Sequence, residues 1–290
     1  MLIDTSPWQD YNRGSEKMKG GRNMFVIDCH DHIYMKRLAP RAVKGVGEFY
    51  DVPMACGGIS DELCEIAKES PIKMFVVNAV AMNAKSVLKL NDFIAEECRR
   101  HPEFIGLGTL HPDMQDIDSE IERIISLGLK GIKLHPDTQQ FDADSGDAMR
   151  IYERIEGRLP LLIHSGDYRY DFSHPRRIAN IADTFPKLTM IAAHLGGWSI
   201  FEEAVPYMKD RSCYMDISSV MPFVRAERVK ELIRLYGADR LLFGSDFPMW
   251  HPVSEYESFL KLGLSEEEQA KILYQNTAKI FSVALPEHTD

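Results

Sequence analysis

The chain lacks the features of membrane and nucleic-acid-binding proteins. It has no run of about 18 apolar residues, which a membrane-spanning helix needs. Its polar start, Met1–Gly21, has no apolar core of the kind that a signal peptide carries. Basic residues are in deficit, with 34 Lys and Arg against 44 Asp and Glu, and the net charge is −10. Because this charge disfavours nonspecific binding to polyanions, we expect no nucleic-acid partner and no membrane partner.

Cysteine is also scarce. The sequence has 5 cysteines, an odd number, and they are widely spaced with no C-x-x-C pair. They are Cys29, Cys56, Cys64, Cys98 and Cys213. This pattern does not predict a disulfide framework, and it favours the reducing environment of the cytoplasm.

No glycine-rich G-x-G-x-x-G or P-loop pattern follows an apolar run, which disfavours a nucleotide-binding Rossmann domain. The chain instead alternates short apolar runs with helical patterns. The predicted strands are Met24–Asp28, Lys73–Asn78, Phe104–Leu110, Leu129–Leu134, Leu161–His164, Leu188–His194, Cys213–Ile217 and Arg240–Gly244. The predicted helices are Ala84–Arg100, Asp116–Leu127, Pro175–Phe185, Val224–Tyr236 and Glu266–Phe281. This alternation predicts an α/β protein with a parallel sheet, and eight strands in 290 residues fit a closed (β/α)₈ TIM barrel.

One domain accounts for nearly all of the chain. Residues 1–22 are predicted to be an N-terminal tail, and residues 23–290 a single barrel domain. The segment 33–70 is too long for an ordinary connection between a strand and a helix, and it contains a helical pattern near Asp61–Glu69. Because long loops in compact domains are often functional, we interpret this segment as a cover over the active site.

Histidines mark the ends of the predicted strands. Six of the 10 lie at or just beyond a carboxyl end: His30, His32, His111, His135, His164 and His194. In a parallel barrel these ends meet at one mouth, where catalysis takes place. His30 and His32 are two residues apart in an extended segment, so both imidazoles can face one cation, although two loop histidines with ordinary hydrogen bonds give the same pattern. With His164 and Asp246, the set offers three nitrogen ligands and one oxygen ligand.

Five motifs resemble those of a known family. D-x-H-x-H, G-I-K-L-H-P, L-I-H-S-G, A-A-H-L-G-G and L-L-F-G-S-D-F-P are similar to motifs of the amidohydrolase superfamily, in the same order from Phe25 to Phe281. The resemblance is strongest to the amidohydrolase 2 branch, which includes decarboxylases of the aminocarboxymuconate-semialdehyde type. It implies one divalent metal ion, most often Zn²⁺, and it also suggests a homodimer.

The resemblance also implies roles for individual residues. His30, His32 and His164 would be metal ligands. Asp246 would be a ligand or the carboxylate that handles a proton. His194 would be catalytic in mononuclear members and a ligand in binuclear ones.

Three functions remain open from these residues. A divalent metal lowers the pKa of a bound water, so we expect a hydrolase that cleaves a C–N or C–O acyl bond in a small molecule, with His194 and Asp246 in proton transfer. The alternative is non-oxidative decarboxylation of an unsaturated or aromatic acid after protonation at carbon. A third hypothesis is a catalytically silent metal-binding or scaffold protein, but the intact set of predicted ligands argues against it.

Other residues are candidates for contact with the substrate. Lys133 shares a strand face with His135 and is expected to point into the barrel. It would be carboxylated and bridge a second metal, pair with a carboxylate such as that of Asp246, or touch the substrate. His135 would bind substrate or form a structural hydrogen bond. Arg169 would bind a carboxylated or aromatic substrate, or form surface ion pairs.

Buried carboxylates are candidates for supporting roles. Asp28 would orient a ligand histidine, or be a structural carboxylate. Asp216 would line the mouth of the barrel, or cap the next helix.

Overall fold

The computed structural model describes residues 25–286, so the predicted tail 1–22 lies outside the described residues. Eight parallel strands form one sheet in which each strand pairs with the next along the chain. They are β1 (Val26–His32), β2 (Ile72–Asn78), β3 (Phe104–Thr109), β4 (Gly131–Leu134), β5 (Leu161–Ile163), β6 (Met190–Ala192), β7 (Tyr214–Asp216) and β8 (Leu241–Leu242). The predicted (β/α)₈ barrel is confirmed.

Backbone hydrogen bonds between β1 and the chain after β8 close the barrel. The amide of Cys29 donates to the carbonyl of Phe243 at 2.9 Å, and the amide of Asp246 donates to the carbonyl of His30 at 2.9 Å. The second of these bonds fixes the backbone of Asp246 beside that of His30. Two predicted metal ligands that are more than 200 residues apart in sequence are therefore neighbours.

Helices separate the strands. They are α1 (Ala39–Tyr50), α2 (Ser60–Glu69), α3 (Val87–Arg100), α4 (Ile117–Ser126), α5 (Pro136–Gln139), α6 (Gly146–Ile155), α7 (Pro175–Thr184), α8 (Phe201–Met208), α9 (Ala226–Tyr236), α10 (Pro252–Leu260), α11 (Glu266–Ala270) and α12 (Asn276–Phe281). A π-helical turn, Lys271–Gln275, joins the last two, so the predicted helix Glu266–Phe281 is continuous. Across residues 25–286, no helix has the length and apolar character to cross a membrane. All five cysteines are described, and none is paired.

Histidine–proline pairs start three of these helices. His135, His174 and His251 each precede a proline in the first turn of a helix, and a ring nitrogen of each accepts a backbone N–H of that turn. Proline suits this position because its missing N–H would have no partner inside the helix. The fold thus gives His135 a structural role as the cap of α5.

Two apolar layers hold the barrel together. Outward-facing strand residues, such as Phe75 and Ile163, pack against the helices. Inward-facing residues, such as Val76 and Leu162, fill the interior with Phe281 of the last helix. Lys133 lies between the outward-facing Ile132 and Leu134, so its side chain is in the interior and is fully buried.

The loops after β5 and β6 touch at two glycines. Gly166 has a φ of +83°, and a Cβ there would lie 2.5 Å from the Cα of Gly197. We expect Gly166→Ala to lower the free energy of unfolding in urea by about 2 kcal/mol or more, because left-handed strain and a backbone clash add together. Gly157→Ala is the matched control, since Gly157 has a φ of +71° but open space around it. If the two variants lose the same free energy of unfolding, the backbone clash at Gly166 has no measurable cost and the prediction is wrong.

Candidate functional site

His30 and His32 both lie within the last three residues of β1. The sequence placed the end of this strand at Asp28, but β1 continues past a register shift between Asp28 and Asp31 to His32, because it pairs with β2 as far as Asn78. The Nδ1 of His30 lies 3.0 Å from Oδ2 of Asp216 and 3.1 Å from Oγ of Ser218. A carboxylate only accepts, so Nδ1 carries the proton and Nε2 presents a lone pair. Asp216 on β7 therefore orients His30, a role that the sequence suggested for Asp28 and not for Asp216.

Burial and His30 have opposite effects on Asp216. Burial alone would raise the pKa of this carboxyl group, but its interactions with His30 and His194 and its hydrogen bond from Ser218 together outweigh burial, and the pKa lies below its usual range. The group is therefore an anion at neutral pH. A carboxylate on the outer nitrogen of an imidazole fixes the ring and makes the inner nitrogen a stronger ligand.

Three potential metal ligands converge at the mouth. The Nε2 of His30 lies 3.2 Å from Nε2 of His32 and 3.7 Å from Oδ1 of Asp246, and His32 Nε2 lies 3.5 Å from the same oxygen. The other oxygen, Oδ2, accepts a hydrogen bond from Ser219 Oγ at 2.7 Å, and Ser219 accepts one from Trp250 Nε1 at 2.8 Å. These bonds aim Oδ1 at the two imidazoles. Two nitrogen donors and one carboxylate oxygen suit zinc, iron or manganese.

His164 and His194 face each other beside this triad. His194 Nδ1 donates to the carbonyl of Ser218 at 3.0 Å, and His164 Nε2 donates to the carbonyl of Gly166 at 2.9 Å. A neutral imidazole has one N–H, so these bonds place lone pairs on His194 Nε2 and His164 Nδ1, which are 3.1 Å apart. Burial lowers the pKa of both rings and so disfavours an imidazolium. Two facing lone pairs in a buried site can share either a cation or a proton.

The structure divides the predicted ligands into two neighbouring groups. The donor atoms of His30, His32 and Asp246 lie within 4.8 Å of one another, whereas those of His164 group with His135 and Asp137. His194 lies between the groups, because its ring centroid is 5.2 Å from that of His30 and 5.0 Å from that of His164. The role of His164 as a ligand in the first group stays a prediction.

Strained backbone accompanies these residues. His194, Ser219 and Asp246 have φ values of 57°, 54° and 62°, in the left-handed region that residues other than glycine rarely adopt. Such strain persists only where surrounding contacts impose it, and it clusters at functional sites. Here hydrogen bonds to Ser218, Trp250 and the backbone of β1 supply the constraint.

Lys133 approaches the triad from β4. Its Nζ lies 2.6 Å from Nε2 of His30, and burial lowers the pKa of the amine to about 8. The ammonium and a metal ion would compete for the same lone pair of His30. A metal at His30 therefore leaves Lys133 as a neutral amine, a carboxylated side chain or a substrate contact.

An aromatic wall covers one side of the mouth. Tyr50, the last residue of α1, is half-buried over His135 and His164, with ring centroids 6.3 Å from both, and its hydroxyl lies 2.6 Å from His135 Nε2. The ring of His135 stacks on that of His164 at 3.9 Å. Trp198, from the loop after β6, packs edge-on against Tyr50 at 4.8 Å. The end of α1, within the predicted cover, is therefore part of the site.

Arg169 holds this wall in place. Its guanidinium donates from Nε and Nη2 to the two carboxylate oxygens of Asp167, at 2.9 and 2.6 Å, and from Nη1 to the carbonyl of Phe49. It also lies 4.7 Å from the ring centroid of Phe49 and 5.4 Å from that of Tyr50. All three nitrogens are engaged, so the visible role is to fix α1 to the loop after β5. Direct binding of substrate by Arg169 stays a prediction.

Sequence reasoning missed Tyr50 and Ser219. Gly45 and Gly47 interrupt the helical pattern that ends at Tyr50, so nothing in the sequence placed this side chain on an ordered helix. Ser219 follows β7 directly, and its position in the barrel was the available signal, because polar residues after parallel strands meet at the mouth.

Comparisons with known proteins agree with this geometry. Residues 27–283 match the family model described as Amidohydrolase. The gamma-resorcylate decarboxylase of Rhodococcus jostii (strain RHA1) is 23% identical over 259 residues, covering 67% of this chain and 76% of that protein.

Solved structures share the fold. A dihydroxybenzoic acid decarboxylase from Polaromonas sp. JS666, with bound manganese and the inhibitor 2-nitroresorcinol, superposes with a TM-score of 0.69 at 17% identity, covering 91% of this chain and 98% of that one. The 5-carboxyvanillate decarboxylase of Sphingomonas paucimobilis gives 0.69 at 18% identity, covering 90% and 100%. The family match over nearly the whole chain shows that this protein is an enzyme of the amidohydrolase superfamily, in the amidohydrolase 2 branch.

Proposed function

We propose that this protein is a metal-dependent, non-oxidative decarboxylase of a small aromatic acid. The observation that carries the proposal is the convergence of imidazole lone pairs and Asp246 beneath the wall formed by Tyr50 and Trp198. The three relatives named above are decarboxylases of aromatic acids, which favours the alternative from the sequence over acyl hydrolysis.

His30, His32 and Asp246 would hold one divalent metal, with His164 as a fourth ligand. These residues fit a metal because one ring nitrogen of His30 donates to Asp216 and one of His164 donates to the carbonyl of Gly166. The other nitrogen of each ring is then unprotonated and faces the centre of the site. Bound there, the metal supplies positive charge that offsets the charge of an anionic substrate. Zn²⁺ from the family resemblance and Mn²⁺, which the Polaromonas relative contains, both suit this donor set.

The aromatic wall would bind the ring of the substrate. Faces and edges of Tyr50 and Trp198 favour an aromatic partner over an aliphatic one. The hydroxyl of Tyr50 is oriented for a polar contact: Nδ1 of His135 accepts from the Thr138 amide, so Nε2 donates to Tyr50, which keeps its own proton free to donate. Burial raises the pKa of Tyr50, so the hydroxyl stays protonated. Lys133 and His135 would be the other side chains that contact the substrate.

Proton transfer falls to His194 and Asp246. Because His194 Nδ1 is fixed to the carbonyl of Ser218, Nε2 is its proton-exchanging atom. The reaction needs one proton at the ring carbon that carries the carboxylate. The carbon–carbon bond then breaks, its electrons restore the aromatic ring, and CO₂ leaves. Asp246 Oδ1 faces the same space and is the second group that can pass a proton.

The test is a substrate panel assayed in D₂O with metal-reconstituted protein. The panel contains hydroxybenzoic acids, including 2,6-dihydroxybenzoate, with their methyl esters and amides. We expect equal amounts of CO₂ and phenol, with one deuterium at the ring position that carried the carboxylate. Chelation is expected to reduce turnover at least about 10²-fold, and metal to restore it. Methanol or ammonia released without CO₂ would establish hydrolysis instead.

One metal per chain is the proposed stoichiometry at the mouth. A metal bound to His30 already requires Lys133 Nζ to leave its position 2.6 Å from His30 Nε2, and a bridged second metal would also require that amine to be carboxylated. The homodimer and the cytoplasmic location stay predictions.

A further inference from the structure

A second cluster of metal-ligating side chains lies at the opposite end of the barrel. Cys64 is on α2, His101 follows the last residue of α3, and Glu103 precedes β3. Because the amino ends of parallel strands lie opposite the mouth, this cluster is remote from His30 and Asp246. One ligand atom from each of the three residues lies within 4.8 Å of the other two.

We propose that Cys64, His101 and Glu103 form a separate binding site for a thiophilic divalent cation such as Zn²⁺. The Sγ of Cys64 lies 3.3 Å from Nδ1 of His101. Zinc–sulfur and zinc–nitrogen bonds of about 2.3 and 2.0 Å at a tetrahedral angle separate these two atoms by about 3.5 Å. The spacing therefore suits a cation with little rearrangement.

Two buried polar atoms in the cluster lack hydrogen-bond partners. They are Nε2 of His101 and Oε2 of Glu103. Buried polar atoms are nearly always satisfied, so each calls for an explanation. A cation bound to Glu103 and to Nδ1 of His101 would give the Glu103 carboxylate a partner. The proton of His101 would then be on Nε2, which could donate to a neighbouring carboxylate.

Glu97 is placed as that neighbour. Its Oε2 lies 3.9 Å from His101 Nε2, and the side chain is only 7% exposed. This separation is beyond hydrogen-bond distance, so the ring must move slightly toward Glu97 for the bond to form. Ser60 and Arg100 donate to the same carboxylate and hold it in position. A carboxylate on the outer nitrogen of a metal-bound imidazole is a common feature of zinc sites.

The donor set selects a soft cation. Binding converts the Cys64 thiol to a thiolate and releases its proton to solvent. Burial raises the pKa of this thiol to about 11, so a cation must displace the proton. The thiolate favours Zn²⁺ or Co²⁺ over Mn²⁺ or Mg²⁺, whereas the mouth offers only nitrogen and oxygen donors among its three converging residues.

This difference gives a selective assay. Thiolate ligation to Co²⁺ produces a charge-transfer absorption band in the near ultraviolet, which nitrogen and oxygen ligands do not. We expect the full-length protein to show this band when it is titrated with Co²⁺. The band should correspond to one equivalent of Co²⁺ per chain, in addition to the Co²⁺ bound at the mouth. Cys64→Ser is expected to abolish the band, and Glu103→Gln to weaken Co²⁺ binding at this site at least about tenfold.

Cys98→Ser is the matched control. Cys98 is on α3, one turn before His101, but its sulfur packs beside Gly106 and is outside the cluster. This variant is expected to keep the band, and circular dichroism would verify the fold of all three variants. Absence of the band in the wild-type protein, or its persistence in Cys64→Ser, would overturn the proposal. Neither outcome depends on decarboxylation at the mouth.

Discussion

Asp246→Asn is expected to remove the metal from the mouth and to reduce CO₂ release at least about 10³-fold, or about 4 kcal/mol of transition-state stabilisation. The amide keeps the shape of the side chain and its bond with Ser219, but it loses the negative charge that Oδ1 presents to His30 and His32. Metal per chain would be measured by elemental analysis. The Cys64→Ser background restricts that count to the mouth.

Asp137→Asn is the control, and it separates the two groups of donors. Asp137 is buried, accepts a hydrogen bond from Ser173, and lies 3.6 Å from Nε2 of His164. If the metal is held by His30, His32 and Asp246, this variant keeps it. Loss of metal in Asp137→Asn with retention in Asp246→Asn would place the ion among His135, Asp137 and His164 instead.

His164→Ala tests the remaining predicted ligand. Its Nδ1 faces His194 in the structure, so a metal that draws on this lone pair must lie near both rings. We expect this variant to lose metal as Asp246→Asn does. Full metal content in His164→Ala would limit the ligands to the other three residues.

The sequence predicts the barrel well because its signals are local. Each strand is a short apolar run, each helix has its own apolar periodicity, and their alternation determines the parallel sheet. His30 and His32 are two residues apart and their rings meet, as the sequence predicted. A register shift between Asp28 and Asp31 interrupts the alternation of β1 in this segment, however, and nothing in the sequence indicates it. Convergence at the mouth then follows from topology alone.

The surroundings of the site depend on contacts between distant segments, which periodicity does not encode. Tyr50 reaches His135 because Arg169 holds the end of α1 against the loop after β5. Ser219 aims Asp246 through a bond between the chain segments after β7 and β8. Neither contact has a sequence spacing that would predict it.

The sequence motifs also do not distinguish hydrolysis from decarboxylation. The same imidazoles and carboxylate can hold a metal for either reaction, so the ligand set does not predict which bond of the substrate is broken. The aromatic wall favours the proposed decarboxylation, because it would offer a ring-binding surface near Nε2 of His194, the proposed proton-exchanging atom. That wall includes Tyr50, which the sequence did not identify.

His194→Asn is expected to lower kcat about 10³-fold while leaving metal per chain unchanged. The side-chain amide can still donate to the carbonyl of Ser218, as Nδ1 does, but it cannot accept and return a proton at the position of Nε2. Turnover would be followed by CO₂ release, and metal by elemental analysis of the same sample. The isotope content of the product in D₂O would show whether the remaining activity still protonates the ring.

His111→Asn is the control for this variant, because His111 is also buried after a strand but lies outside both donor groups. Its Nδ1 accepts the backbone N–H of Asp113, a bond that the oxygen of asparagine can replace. We expect this variant to retain both metal and turnover. If His194→Asn instead loses its metal while His111→Asn does not, His194 is a ligand. The short distance between its Nε2 and Nδ1 of His164 would then favour two metals, with Lys133 as their bridge.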